Sequence, residues 1–180
     1  MCALKARRGL VIVYTGDGKG KTTAALGMAL RAVGHGMRVL VVEFLKGKLE
    51  SGERKAAKRL APELEVVAAG EGFVAPNAGE WPASVRQAVD RGWQRASGAV
   101  LGGGYDMVVL DELNCVVDYG AVEVGEVLAL IERKPPEMHL IITGRNAHPK
   151  LIRAADLVTR VRSTKHPYAH GVTAQKGVEF

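Results

Sequence analysis

A chain of 180 residues that is 47% hydrophobic and 24% charged has the composition of a globular domain with its own core, which excludes a disordered, collagenous or disulfide-framework protein. No apolar run approaches the roughly 18 residues of a membrane helix, residues 1–8 hold no signal-like stretch, and the only cysteines, Cys2 and Cys115, predict reduced thiols. A single cytoplasmic domain over residues 1–180 with no membrane partner is therefore expected. The formal net charge of +6 is unevenly placed: residues 1–60 carry 13 Lys/Arg against 4 Asp/Glu, and residues 61–180 carry 12 against 15.

In chain order, residues 10–14 are a short β-branched and aromatic run that predicts a buried strand, and residues 24–33 predict a helix. Between them lies Gly16-Asp17-Gly18-Lys19-Gly20-Lys21-Thr22-Thr23. A glycine loop on a strand-to-helix corner is a phosphate cradle: first-turn amides lack internal partners and the helix dipole favours anions. Lys21 supplies a cation there, and Thr22 a hydroxyl for a magnesium ion. The usual motif would place its first glycine at position 15, where Thr15 stands, so the loop counted from Gly16 is one residue short. The basic excess around it suits a nucleotide. With aromatics at 5% and no nucleic-acid module, no nucleic-acid partner is expected, and Arg54, Lys55, Lys58 and Arg59 read as a solvated helix face.

Strand then alternates with helix: strands over 38–44, 64–68, 107–110, 139–143 and 157–161, helices over 52–60, 82–101 and 122–132. Residues 70–81 form a glycine-rich loop expected to recognise substrate, and residues 163–180 a tail expected to pack near the site. This alternation predicts an α/β fold, a mostly parallel sheet of about six strands with helices on both faces. The apolar run ending in Asp111-Glu112 is the second half of a phosphate-loop site, placing carboxylates beside Thr22 to hold magnesium. His166 and His170 are four apart, but Pro167 between them argues against a helical metal pair. The residues themselves thus lead to ATP and magnesium, leaving hydrolysis and transfer both open.

The segments TGDGKGKTTAALGMALRAVGHGMRVLVVEFLKG, VVLDELN and LIITGRNAHPKLIRAADLVTRVRSTKHPYAHGVTAQKGVEF together resemble the ATP:corrinoid adenosyltransferases of bacterial cobalamin synthesis, from Gly9 to Phe180, shortened loop included. The resemblance implies a P-loop NTPase fold of the RecA-like type. It also implies a cobalt(I) corrinoid (cobalamin, cobinamide or cobyrinic acid diamide) that attacks C5′ of ATP and expels triphosphate, with ATP reversed in the loop relative to kinases. By the same resemblance Thr22, Asp111 and Glu112 hold Mg2+ or Mn2+, and Gly16 to Thr23 with Arg31, Arg145 and Lys165 contact the nucleotide. A reduced flavin or flavodoxin-like partner and a homodimer are implied too. Phe73 matches an aromatic that displaces the lower cobalt ligand, whereas Ala75 stands where a tryptophan is expected; Trp81 either compensates or belongs to the core. Only eight residues precede Gly9, where relatives carry a longer covering segment. The rival classes are a P-loop ATPase or kinase releasing ADP, and a basic nucleic-acid binder.

Overall fold

Each strand of this chain carries apolar side chains on alternate faces, so a sheet built from them must be covered twice. The computed structural model describes residues 8–47, 51–70 and 81–178. Strands β1 (Val11–Thr15), β2 (Val39–Glu43), β3 (Leu64–Ala68), β4 (Met107–Asp111), β5 (His139–Thr143) and β6 (Leu157–Arg160) form one sheet in the order β3-β2-β4-β5-β1-β6, parallel throughout. Val39, Val41, Met107, Val109 and Ile141 face one way, against α1 (Lys21–Val33) and α2 (Gly52–Ala57). There Ala25, Ala29 and Ala32 give α1 a stripe of small residues that lets it lie close to the strands.

Leu40, Val42, Val108, Leu110, Leu140 and Ile142 face the other way. They are covered by α3 (Ala83–Leu101), α4 (Leu113–Asp118), α5 (Val124–Arg133) and α6 (Pro149–Ala154). The α/β architecture with helices on both faces is as the sequence predicts. Because all the strands run the same way, their C-terminal ends share one edge, where a crevice for ligands opens. Strand β5 stands between β1, which feeds the phosphate loop, and β4, which ends in Asp111. None of the described helices is long and apolar enough to cross a membrane.

Three local readings need correction. Helix α1 starts at Lys21, three residues earlier than its alanine-rich composition suggests, because the turn into it is made by Gly20 at φ 116°, a left-handed conformation that favours glycine. Two six-residue helices, α4 and α6, have no counterpart in the sequence reading. Helix α6 starts at a Pro149 whose preceding His148 caps it, its ring accepting from the Lys150 amide at 3.1 Å.

Candidate active site

The phosphate loop is pinned by the chain that follows β6. After β6 the chain passes under the loop: the Val161 amide donates to the Thr15 carbonyl at 2.8 Å, and the Gly18 amide donates to the Val161 carbonyl at 3.0 Å. The approach is so close that a Cβ on Gly18 would lie 2.6 Å from the Arg162 carbonyl carbon, so only glycine fits. Lys21, 7% exposed, folds back and donates to the Gly18 carbonyl at 2.8 Å. Burial lowers its pKa from the ordinary 10.5, against the opposing pull of Glu112.

Opposite the loop, Asp111 is completely buried at the end of β4. Its Oδ1 accepts the hydroxyls of Thr22 at 2.8 Å and Thr143 at 2.7 Å. Its Oδ2 has no hydrogen-bond partner among the described residues and faces Lys46 Nζ at 3.5 Å. Burial raises the Asp111 pKa, while Lys46 and the two hydroxyls hold it down. Thr143 also accepts the Glu112 amide at 2.9 Å, tying both carboxylate residues to the end of β5. Glu112 adopts φ 62° as it leads into α4, and its Oε2 accepts the Cys115 thiol at 3.0 Å. Burial and the Glu112 charge push that thiol up to about 12, and the Arg145 amide donates to its sulfur at 3.3 Å. Asn114 completes the α4 anchorage by donating to the Gly144 carbonyl at 3.2 Å.

A second charged group lies beside Asp111 at the end of β2, where Glu43 pairs in register with it. Glu43 is 1% exposed; Lys46 Nζ donates to its Oε1 at 3.0 Å and Arg54 Nε to its Oε2 at 2.7 Å. Lys46 also reaches Glu53 at 3.5 Å. Burial works against the Lys46 charge, but Asp111 and Glu43 outweigh it and raise its pKa. Arg54 therefore does not belong to a solvated face. The run of Arg54, Lys55, Lys58 and Arg59 splits by position, with Arg54 turned inward onto Glu43 and the other three exposed.

The phosphate loop and Glu112 border a cavity of about 690 Å³, which Glu43, Lys46, Arg54 and Asp111 do not line. Asp17, Gly18, Lys19 and Lys21 form one wall, Glu112, Cys115 and Tyr119 another, and Arg145 stands beside them. Ser163, His166 and Tyr168 close it from the C-terminal side. Thr22 and Asp111, bonded to each other, are not among the lining residues, and Thr23 is exposed beside Leu26 and Glu53. Arg31 is in the last turn of α1, ten residues beyond Lys21 and so about 15 Å along the axis, and does not line the cavity. Lys165 is exposed next to His166. Phe73 and Ala75 lie outside the described residues. Trp81 packs partly buried against the core and edge-on to Tyr119 at 5.7 Å, so it meets the cavity only through that ring.

No group of three or more His, Cys, Asp or Glu that could hold a metal exists among the described residues. The donors present are the Thr22 hydroxyl and Glu112, with Asp111 holding the Thr22 hydroxyl through Oδ1. That set suits magnesium, which keeps waters and takes one or two carboxylates plus substrate phosphates. Sequence reasoning misses Lys46, Glu43, Thr143, Cys115 and Tyr119. Glu43 carries the one usable signal: like Asp111, it is an ionisable residue ending an apolar strand.

A family profile described as ATP:corrinoid adenosyltransferase BtuR/CobO/CobP matches residues 7–180. A corrinoid adenosyltransferase of Pseudomonas aeruginosa is 41% identical over 177 residues, covering 96% of this chain and 84% of that protein. One from Escherichia coli K12 is 40% identical over 173 residues, covering 96% and 86%. The corrinoid adenosyltransferase CobA of Salmonella typhimurium is 41% identical with the same coverage. Among solved structures, the flagellar accessory protein FlaH of Methanocaldococcus jannaschii superposes with a TM-score of 0.55 at 14% identity, over 86% of this chain and 71% of that one, a likeness of fold alone.

Proposed function

This chain belongs to the ATP:corrinoid adenosyltransferase family, and on that premise we propose how its own residues carry the reaction. The enzyme transfers the 5′-deoxyadenosyl group of ATP to the cobalt of a corrinoid. The cobalt(I) electron pair attacks C5′, the cobalt–carbon bond forms, and the C5′–O bond breaks with its electrons passing to the triphosphate. Charge thus builds on the leaving triphosphate, and the loop is where that charge is met. Lys21 leaves the Gly18 carbonyl for the triphosphate, exchanging a neutral acceptor for an anionic one, and the amides of the first turn of α1 add their donors.

The observation that carries this reading is the 2.8 Å hydrogen bond from Thr22 to Asp111, which joins the phosphate loop to the carboxylate strand across β5. Thr22, through its free lone pairs, and Glu112 would hold Mg2+ or Mn2+, with Asp111 fixing the Thr22 hydroxyl from behind. When bound, the ion supplies charge to the departing triphosphate. Arg145 and His166 bound the volume in which the nucleoside and corrin meet. The lining positions of Ser163, His166 and Tyr168 support a role for the tail after residue 162 as part of the site. The family resemblance supports a flavin or flavodoxin-like electron donor and a cytoplasmic homodimer; exposed Leu157 and Val158 on the edge strand β6 suit the latter.

The test is to incubate the protein with magnesium ATP and chemically reduced corrinoid and to identify both products. Light-sensitive adenosylcorrinoid and intact inorganic triphosphate are expected in equal amounts. Stoichiometric ADP and phosphate with no cobalt–carbon product would establish a P-loop ATPase instead.

A further inference from the structure

Lys46 belongs to no nucleotide motif, yet its ammonium sits among three carboxylates, 3.0 Å from Glu43, 3.5 Å from Glu53 and 3.5 Å from Asp111. The two oxygens of Asp111 differ in their surroundings. Oδ1 takes two hydroxyl donors, Thr22 and Thr143, while Oδ2 is buried with no hydrogen-bond donor among the described residues and meets only the Lys46 charge. Arg54, the other cation among the described residues that meets Glu43, is committed to it at 2.7 Å and to the Gly47 carbonyl at 2.9 Å. The balance of the Asp111 charge therefore falls to Lys46. A buried carboxylate stripped of its counter-charge either reorients or takes up a proton, and in both cases stops presenting the same oxygen to the same hydroxyl.

We infer that Lys46 is a positioning residue for the nucleotide's metal: by fixing Asp111 through Oδ2, it keeps Oδ1 under the Thr22 hydroxyl and so keeps the Thr22 lone pairs turned toward the metal–triphosphate. This rests on the reading above that Thr22 faces magnesium ATP. Lys46 does not touch the triphosphate; the three carboxylates hold it on the far side of Asp111. Its effect must then travel through Asp111 and appear only when the metal is present.

The experiment is equilibrium binding of ATP by calorimetry, with Mg2+ and with EDTA, in the wild type, Lys46→Met, Asp111→Asn and the double variant. In Lys46→Met the tightening by Mg2+ should shrink by on the order of tenfold or more, the scale of breaking a buried charge pair, while affinity in EDTA stays within about a factor of two. Lys46→Arg should restore most of the tightening. In the Asp111→Asn background Lys46→Met should change binding by no more than about twofold, because both act on one interaction. If Lys46→Met does not fold, judged by circular dichroism, Lys46→Gln is measured in its place. Equal weakening with and without Mg2+ would mean that Lys46 grips the triphosphate itself and would overturn the inference, as would independent, multiplying effects of the two substitutions. A wild type whose ATP affinity ignores Mg2+ would remove the site reading along with it, while the product assay above would still decide the reaction.

Discussion

Thr143 is the residue whose replacement should cost most for the fewest atoms changed. It is fully buried at the end of β5, and its hydroxyl donates to Asp111 at 2.7 Å while accepting the Glu112 amide at 2.9 Å. Thr143→Val keeps the shape and removes that oxygen. The loss comprises a hydrogen bond to a charged group, worth about 1.5–3 kcal/mol, and an amide left without its acceptor, about 1–3 kcal/mol. Allowing for non-additivity, roughly 2–4 kcal/mol of stability should go, a fall of about 5–15 °C in Tm for a domain of this size. Thr143→Ser keeps the oxygen and loses a methyl, so it should cost about 1 kcal/mol. Urea denaturation reads the first difference. Steady-state adenosylation with chemically reduced corrinoid reads the second: the valine variant should be slower by on the order of ten- to a hundredfold, because Asp111 and Glu112 lose their common tether. Valine and serine variants of equal stability and equal rate would refute the claim that this hydroxyl organises the carboxylates.

Lys21→Ala removes the cation that meets the leaving triphosphate, so transfer should fall by about a hundredfold or more, while Lys58→Ala on the exposed side of the C-terminal end of α2 changes the rate little; similar losses in the two would take Lys21 out of the site. Cys115, its thiol pushed up to about 12, should resist alkylation in a Cys2→Ser background at pH 9, where its thiolate fraction is about five-hundredfold below that of an ordinary thiol. Since the Glu112 charge contributes to that rise, Glu112→Gln should speed the labelling, and an unchanged rate would show that burial alone protects the sulfur.

The fold was legible where short apolar runs are bounded by turn residues. Strands β3 and β5 fall where the sequence reading places them, β1 is shifted by one residue, β2 is one residue shorter at each end, and β4 and β6 differ by one residue at their C-terminal ends. What escaped were elements too short to have a period: α4 and α6 each complete fewer than two turns, so no amphipathic pattern can develop. Helix α4 also begins at Glu112 in a left-handed conformation that sequence does not announce for a glutamate. In the site, the phosphate loop and Asp111-Glu112 are each continuous in sequence and could be read directly. Thr143, Lys46 and Arg54 could not, because each acquires its role from strand order. The register Glu43 to Asp111 brings the end of β2 to the carboxylate, and the pairing of β4 with β5 brings Thr143 beneath it. Four positive residues on one short helix look alike in sequence, and only the buried Glu43 distinguishes Arg54 from its neighbours.

The disposition of the carboxylates bears on why such a site acts at carbon. Hydrolysis at phosphorus calls for a carboxylate or amide positioned to orient water at the terminal phosphate. Of the acidic residues around the strand ends, Glu43 is 1% exposed with both oxygens held by Lys46 and Arg54, and Asp111 is buried beneath two hydroxyls and the Lys46 charge. Glu53 is turned onto Lys46. Glu112 reaches the cavity, and one of its oxygens is occupied by the Cys115 thiol. Held in this way, Glu43, Asp111 and Glu53 serve to keep cations and hydroxyls in place, and the acidic side chains that line the cavity are Asp17 and Glu112. A loop that binds triphosphate while three of the four carboxylates around the strand ends are committed to ion pairs and hydroxyls is suited to treating the whole triphosphate as a leaving group, and the same ion pairs that hold Glu43 place Lys46 where it can keep Asp111 and Thr22 in register.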